Sequence, residues 1–133
     1  MSADSKTTLQ TPHAPAAIGP YAQGRTGSLS GRWIVSSGQV GLDPASGQLV
    51  PGGVQAETER ALKNLEAVLS AGDASLQDVI KTTVFLADMA DFQAMNEVYA
   101  RFFPEAKPAR STVAVRGLPK DARVEIEVWA IVP

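Results

Sequence analysis

Four side chains in this sequence have the chemistry to handle a small charged molecule: Arg110, Glu127, Tyr21 and Ser37. Arg110 stands in Pro108-Ala109-Arg110-Ser111. A planar guanidinium grips a carboxylate with two parallel hydrogen bonds, which fixes orientation as well as position; lysine supplies the charge without the fork. Arg110 fits an ordinary salt bridge as well, with Glu125 or Glu127 as partner. Glu127 lies between Ile126 and Val128. A carboxylate so placed can take a proton from water and hand it on. Burial would raise its pKa and a nearby arginine would lower it, so the net direction stays open. It reads equally as a solvated strand carboxylate. Tyr21, in Gly19-Pro20-Tyr21, offers either a hydroxyl to a ligand or a ring that packs a turn. Ser37 does not fit a serine-hydrolase nucleophile. The one histidine, His13, sits in a proline-rich segment, so the base of a Ser-His-Asp set is missing.

Composition removes other chemistries. The 133 residues contain no cysteine, which excludes disulfide scaffolds, thiolate zinc sites and thiol nucleophiles. One histidine cannot build a multi-histidine metal site within a chain, although a symmetric oligomer could gather copies of it. Twelve Lys and Arg against fourteen Asp and Glu give a net charge of −2, which argues against a basic nucleic-acid face. Gly38-Gln39-Val40-Gly41 is not a phosphate loop: it lacks the Lys-Ser/Thr ending and leads into no helix. Apolar runs stay short of the ~18 residues of a membrane span. Met1 to Gln10 is polar and lacks an apolar secretion core, so a cytoplasmic protein is expected.

The elements that must position these residues follow from period and punctuation. Residues 1–7 read as a loose tail and 8–133 as one domain. Pro12, Pro15, Gly19 and Pro20 make a rigid extended entry. Residues 33–39 read as a strand and Asp43 to Gly47 as a turn. Val54, Ala61, Leu62, Leu65, Val68 and Leu69 recur at helical spacing, and Gly72 ends that helix. Val79 to Leu86 is a β-branched strand. Asp91 caps a second helix. Its stripe is Phe92, Met95, Val98, Tyr99, Phe102 and Phe103, and Pro104 stops it. Met95 and Phe102 belong to a core by this spacing. Strands over 110–115 and 123–131 complete a β-β-α-β-α-β-β order, an α+β domain. Two helices cover only one face of a sheet. On the last strand Val124, Ile126, Val128 and Ala130 point one way; Trp129 and Ile131 point the other. A second apolar face predicts self-association.

Ala16-Ala17-Ile18-Gly19-Pro20-Tyr21-Ala22-Gln23-Gly24 resembles the N-terminal motif of the RidA/YjgF imine deaminase family. Ser37-Gly38-Gln39 follows, then Val79 to Leu86 with Asp91-Phe92 and Asn96. Pro108 to Ser111, Leu118 to Asp121 and Glu125 to Glu127 complete the match. The resemblance runs from about residue 8 to residue 132. It implies a chorismate-mutase-like α+β fold: one mixed sheet with two helices on one face, assembled as a homotrimer around a central barrel with active sites between subunits. It also implies hydrolysis of 2-imino acids and their enamine tautomers (2-aminoacrylate/2-iminopropanoate, 2-iminobutanoate) to 2-keto acids and ammonia. Small imino acids and copies of the chain would be the partners. No cofactor and no metal are implied, and neither nucleic acid nor membrane.

The resemblance assigns roles residue by residue. Arg110 would bind the substrate carboxylate and Glu127 would handle the water. Tyr21 and Ser37 would line the pocket, and Gly38 would allow close backbone approach. Asn96 would sit at the pocket or equally be a surface amide. Thr112 departs from the cysteine many relatives carry. The family holds substrate with that residue's backbone, so threonine should keep binding and remove thiol reactivity. The Phe103–Pro108 link is shorter than in some relatives and bears on substrate size. Two other readings stand beside the deaminase: a non-catalytic regulator or chaperone-like trimer that binds small carboxylates, and a ribonuclease or translation inhibitor, which the acidic charge balance disfavours.

Overall fold

Val79 to Leu86 forms the centre of the structure. In this computed structural model, which describes residues 6–28, 30–105 and 107–133, that segment is strand β5. Its alternation of buried and half-buried residues marks a strand covered on one face. The other main elements, in chain order, are β1 (Thr7–Leu9), β2 (Gly24–Thr26), β3 (Arg32–Val35), β4 (Gln39–Val40), α1 (Gly53–Ala71), then after β5 α2 (Phe92–Phe102), β6 (Ala109–Ala114) and β7 (Val124–Val132).

The main sheet runs β3-β7-β5-β6, with β4 on β7 beyond the end of β3. β5 and β6 are parallel, joined by the α2 crossover, and β7 is antiparallel to β5, β3 and β4. Leu62, Leu65 and Leu69 of α1 and Met95 and Tyr99 of α2 pack with Val84, Val124, Ile126 and Val128 of the sheet into one core. Both helices therefore lie on one face, as the sequence predicts. The expected α+β architecture stands.

Three local expectations are corrected. The strand expected over 33–39 is broken. Ser36 Oγ accepts from Val128 N at 2.9 Å and Ser36 N donates to Val128 O, so the chain leaves the ladder at Ser37-Gly38 and returns as β4. Asp91 holds the position before α2 but caps nothing. Its carboxylate takes two bonds from Arg123, at 2.9 and 3.0 Å. Capping passes to Asp88, whose Oδ1 accepts from Ala90 N at the start of a short 3₁₀ turn.

The third concerns the entry. The loose tail expected over 1–7 falls mainly on residues 1–5, outside the described residues. Lys6 is pinned: its ammonium donates to Ile131 O at 2.9 Å and lies 3.6 Å from Asp78. Thr7 opens β1, which pairs with β2. That cover buries Ile131, expected to be open, to 4 % exposure. The rest of the second face stays open. Trp33 is 50 %, Val35 54 %, Trp129 40 % and Val113 45 % exposed, and the two indoles meet at 5.7 Å.

Candidate functional site

Arg110, the second residue of β6, lies on the helix-covered face, because its register partner Thr82 is wholly buried there. Above it passes α2. Phe92, Asn96 and Tyr99 stand four and three residues apart, so one helix face presents all three. The guanidinium carbon lies 4.8 Å from the centre of the Tyr99 ring, 5.6 Å from Phe92 and 5.4 Å from Tyr21. Arg110 Nη1 donates to Asn96 Oδ1 at 2.7 Å.

The register explains how Tyr21 arrives from so far away in sequence. Ala22 bridges Ala109 in parallel and its N–H donates to Pro108 O, so the preceding residue falls beside Arg110. Gly19 keeps the turn tight: a methyl there would sit 3.2 Å from the Tyr21 ring. Gln23 holds the arch behind it. Its side-chain amide donates to the carbonyls of Thr11, Ala14 and Pro15 and accepts from Thr11 N.

This is an arginine held by rings and a neutral amide. Among the described residues no carboxylate lies within ion-pair distance of it. Burial pushes its pKa below that of an ordinary arginine, opposed by the Tyr99 and Tyr21 hydroxyls. An arginine in a protein still stays protonated. Tyr99 is pushed up to about 12 by burial, against its bond to Thr82 and the charge of Arg110. The ring below the cation is therefore a neutral phenol at physiological pH. Such a cation, with one of five donors spent on a neutral acceptor, keeps its charge and a free edge for an anion.

Thr112 follows two residues along β6 on the same face, opposite Val84. Its hydroxyl is buried and has no partner among the described residues.

The remaining expected residues lie elsewhere. Glu127 pairs with Thr83 of β5, so it points to the open face. Arg110 is two strands away on the covered face, about 10 Å along the sheet. The salt bridge considered between Arg110 and Glu125 or Glu127 does not form. Ser37 is exposed at the opposite sheet edge. Gly38 meets not Glu127 but Glu125: a methyl on Gly38 would lie 2.6 Å from Glu125 Cδ. One chain thus carries two separate clusters. One is Arg110, Tyr21 and Asn96 at the β6 edge; the other is Ser37, Gly38 and Glu125 at the β4 edge, with Glu127 two residues on.

Phe92 and Tyr99 beside Arg110, and Glu125 beside Gly38, are the neighbours that sequence reasoning did not single out. The signal for the first two was Asn96, a lone amide within an aromatic stripe at helical spacing. Among the described residues no group of three or more His, Asp or Glu converges as metal ligands. His13 lies exposed on the entry arch. No helix among the described residues is long and apolar enough to cross a membrane.

The fold and this arginine pocket define a class: a mixed sheet with two helices on one face and an arginine caged by aromatic rings at its edge. The chain belongs to the RidA/YjgF family; the matching family model, described as Endoribonuclease L-PSP, covers residues 11–132. It is 50% identical over 131 residues to the 2-iminobutanoate/2-iminopropanoate deaminase of Mus musculus, a match spanning 98% of this chain and 95% of that one. Among solved structures, a putative endoribonuclease from Thermotoga maritima is 46% identical with a TM-score of 0.75, over 96% of this chain and 98% of that chain. TdcF from E. coli with bound serine is 41% identical with a TM-score of 0.73, over 96% and 99%.

Proposed function

We propose that this chain is an imine deaminase that hydrolyses 2-imino acids, 2-iminopropanoate and 2-iminobutanoate among them, to 2-keto acids and ammonia. The observation that carries the reading is the Arg110 guanidinium, caged by three rings and bonded to a neutral amide. A 2-imino acid has a carboxylate beside its reacting carbon. Gripping that carboxylate fixes the C=N against whatever supplies the water. The likeness to deaminases and to a serine-bound relative supports the same class of ligand, a small 2-nitrogen carboxylate.

The reaction is R–C(=NH₂⁺)–COO⁻ + H₂O → R–CO–COO⁻ + NH₄⁺. Water attacks C2 and loses a proton to a carboxylate, and the C=N electron pair moves to nitrogen. The carboxylate passes that proton on to nitrogen. The carbinolamine O–H is then deprotonated as the C–N bond breaks and the carbonyl forms. An enamine first takes a proton at C3 to become the imine. One carboxylate shuttling protons serves every step.

That carboxylate comes from a neighbouring copy. Glu125 and Glu127 lie on the open face, at or towards the sheet edge opposite Arg110. Head-to-tail association of copies joins one edge to the other and closes a ring; the family resemblance makes it a trimer. The apolar open face of Trp33, Val35, Val113 and Trp129 is buried inside it. We assign the proton-handling role to Glu125 rather than Glu127, since Glu125 packs against Gly38, the neighbour in sequence of the exposed Ser37. Thr112 supplies backbone contacts to the substrate. A cytoplasmic setting and cofactor-free turnover belong to the same proposal.

The test is imine clearance. A threonine dehydratase generates 2-iminobutanoate with semicarbazide as a competing trap. The protein should outrun the trap and Arg110→Ala should not. If a folded oligomer gives no acceleration, the carboxylate-binding regulator replaces the deaminase. One observation favours that second reading: a single chain holds the anchor without a carboxylate to work with it.

A further inference from the structure

A cavity of about 330 Å³ lies between the Gly19-Pro20-Tyr21 turn and α2. It begins at the Arg110 pocket, because Phe92 and Asn96 line it and both touch the guanidinium. From Phe92 it runs to Ala100, about 12 Å along the helix at the α-helical rise. Ile18 and Pro20 form the facing wall, and Ile18 is 91 % exposed. Near the far end stands Glu97, the one charged residue in the lining. Gln55 Nε2 donates to Glu97 Oε2 at 3.1 Å, which steadies the carboxylate without neutralising it.

We infer that this groove is the side-chain subsite, selecting 2-imino acids whose side chain has an apolar stem and a neutral or cationic tip and turning away a second carboxylate. The inference rests on the deaminase reading, in which the substrate carboxylate sits on Arg110. A short side chain such as methyl ends near Phe92. A longer one runs over Phe92, Pro20, Ile18 and Ala100, and its tip comes out beside Glu97. An acidic tip there faces a like charge; a guanidinium tip faces an opposite one. For one exposed pair near contact, the Coulomb difference in water amounts to about fivefold in each direction.

The experiment compares clearance of imines made by amino-acid oxidases from alanine, norleucine, arginine and glutamate, each against the semicarbazide trap. Wild type should favour the arginine-derived over the glutamate-derived imine by about 25-fold in kcat/KM, the product of the two fivefold effects. Glu97→Lys should reverse that preference, and Glu97→Gln should fall between the two. Glu97 is exposed, so neither change threatens the fold. Clearance of 2-iminopropanoate with an arginine-to-glutamate ratio that does not move in Glu97→Lys overturns the groove assignment alone. Absence of clearance for every imine, 2-iminopropanoate included, overturns the deaminase reading and this assignment with it.

Discussion

Arg110 donates its short bond, 2.7 Å, to an amide oxygen of Asn96 and not to a carboxylate. The distinction decides what the arginine is free to do. A carboxylate at that position would satisfy the guanidinium's charge from within the fold, and an incoming anion would have to compete. An amide fixes the orientation and leaves the charge uncompensated.

Asn96→Asp therefore tests the anchor by changing one atom. The variant should fold normally and bind 2-oxobutanoate, the product carboxylate, at least about tenfold more weakly, since a charge-assisted bond outweighs a neutral one by about 1.4 kcal/mol or more. Asn96→Ala should weaken binding by less, since it removes only the positioning. Competitive inhibition by 2-oxobutanoate measures both. Undiminished affinity in Asn96→Asp would show that the anion is held somewhere other than on Arg110.

Gly38 and Glu125 give a second test. With a methyl 2.6 Å from the carboxyl carbon, Gly38→Ala forces the Glu125 side chain to move. The obstructing atoms belong to the end of a flexible side chain, so the stability loss should be small, about 1 kcal/mol. The catalytic loss should be large, at least about tenfold in kcat. Glu125→Gln should lower kcat further while keeping 2-oxobutanoate binding, and Glu127→Gln should leave both kcat and that binding unchanged. If Glu127→Gln alone removes turnover, the proton-handling role returns to Glu127.

The contrast between those two glutamates shows what the sequence could carry. Helical spacing from Val54 to Leu69 and the β-branched run from Val79 to Leu86 placed their elements within a residue or so, because each has a long apolar period. Arg110 stood out through its motif. The choice between Glu125 and Glu127 was not legible, because residues two apart on a strand share a face and only a cross-strand contact separates them. The β1–β2 ribbon escaped for a related reason. Three-residue strands without alternation are joined by a long arch, and the arch depends on Gln23, whose bonds to Thr11, Ala14 and Pro15 leave no local pattern. Asp91 was misread because Asp88 takes the cap and leaves Asp91 free for Arg123.

Tyr99 links the core to the site and yields a pH dependence. Its hydroxyl lies 2.7 Å from Thr82 Oγ1 in a fully buried pair, and its pKa is pushed up to about 12 from 10.0. The folded protein holds the phenol proton more tightly than the unfolded chain. Stability from this residue is thus complete below pH 10 and is lost as pH rises through about 12. By pH 11 the loss should reach about 1 kcal/mol. Urea unfolding at pH 8 and pH 11 should show this decline in wild type. Tyr99→Phe should be less stable at pH 8, where Thr82 loses its partner, and should decline less between the two pH values.

The proposed division of the site between two sheet edges gives the most direct test of assembly. Arg110→Ala lacks the anchor and Glu125→Gln lacks the proton carrier, so each homo-oligomer should be inactive on its own. If every site takes Arg110 from one copy and Glu125 from the next, a mixed ring contains some sites built from two intact halves. Random mixing of equal amounts, by unfolding and refolding the two variants together, gives each site an intact half from either side one time in two. About a quarter of wild-type clearance should return. A site formed within one chain would give no recovery at any ratio, because every chain would carry one defect. Trp129→Glu supplies the companion measurement. The indole is 40 % exposed on the open face of one chain, so the fold should survive the change. A charge buried against its symmetry mates should not be tolerated, and sedimentation should show monomers without clearance activity.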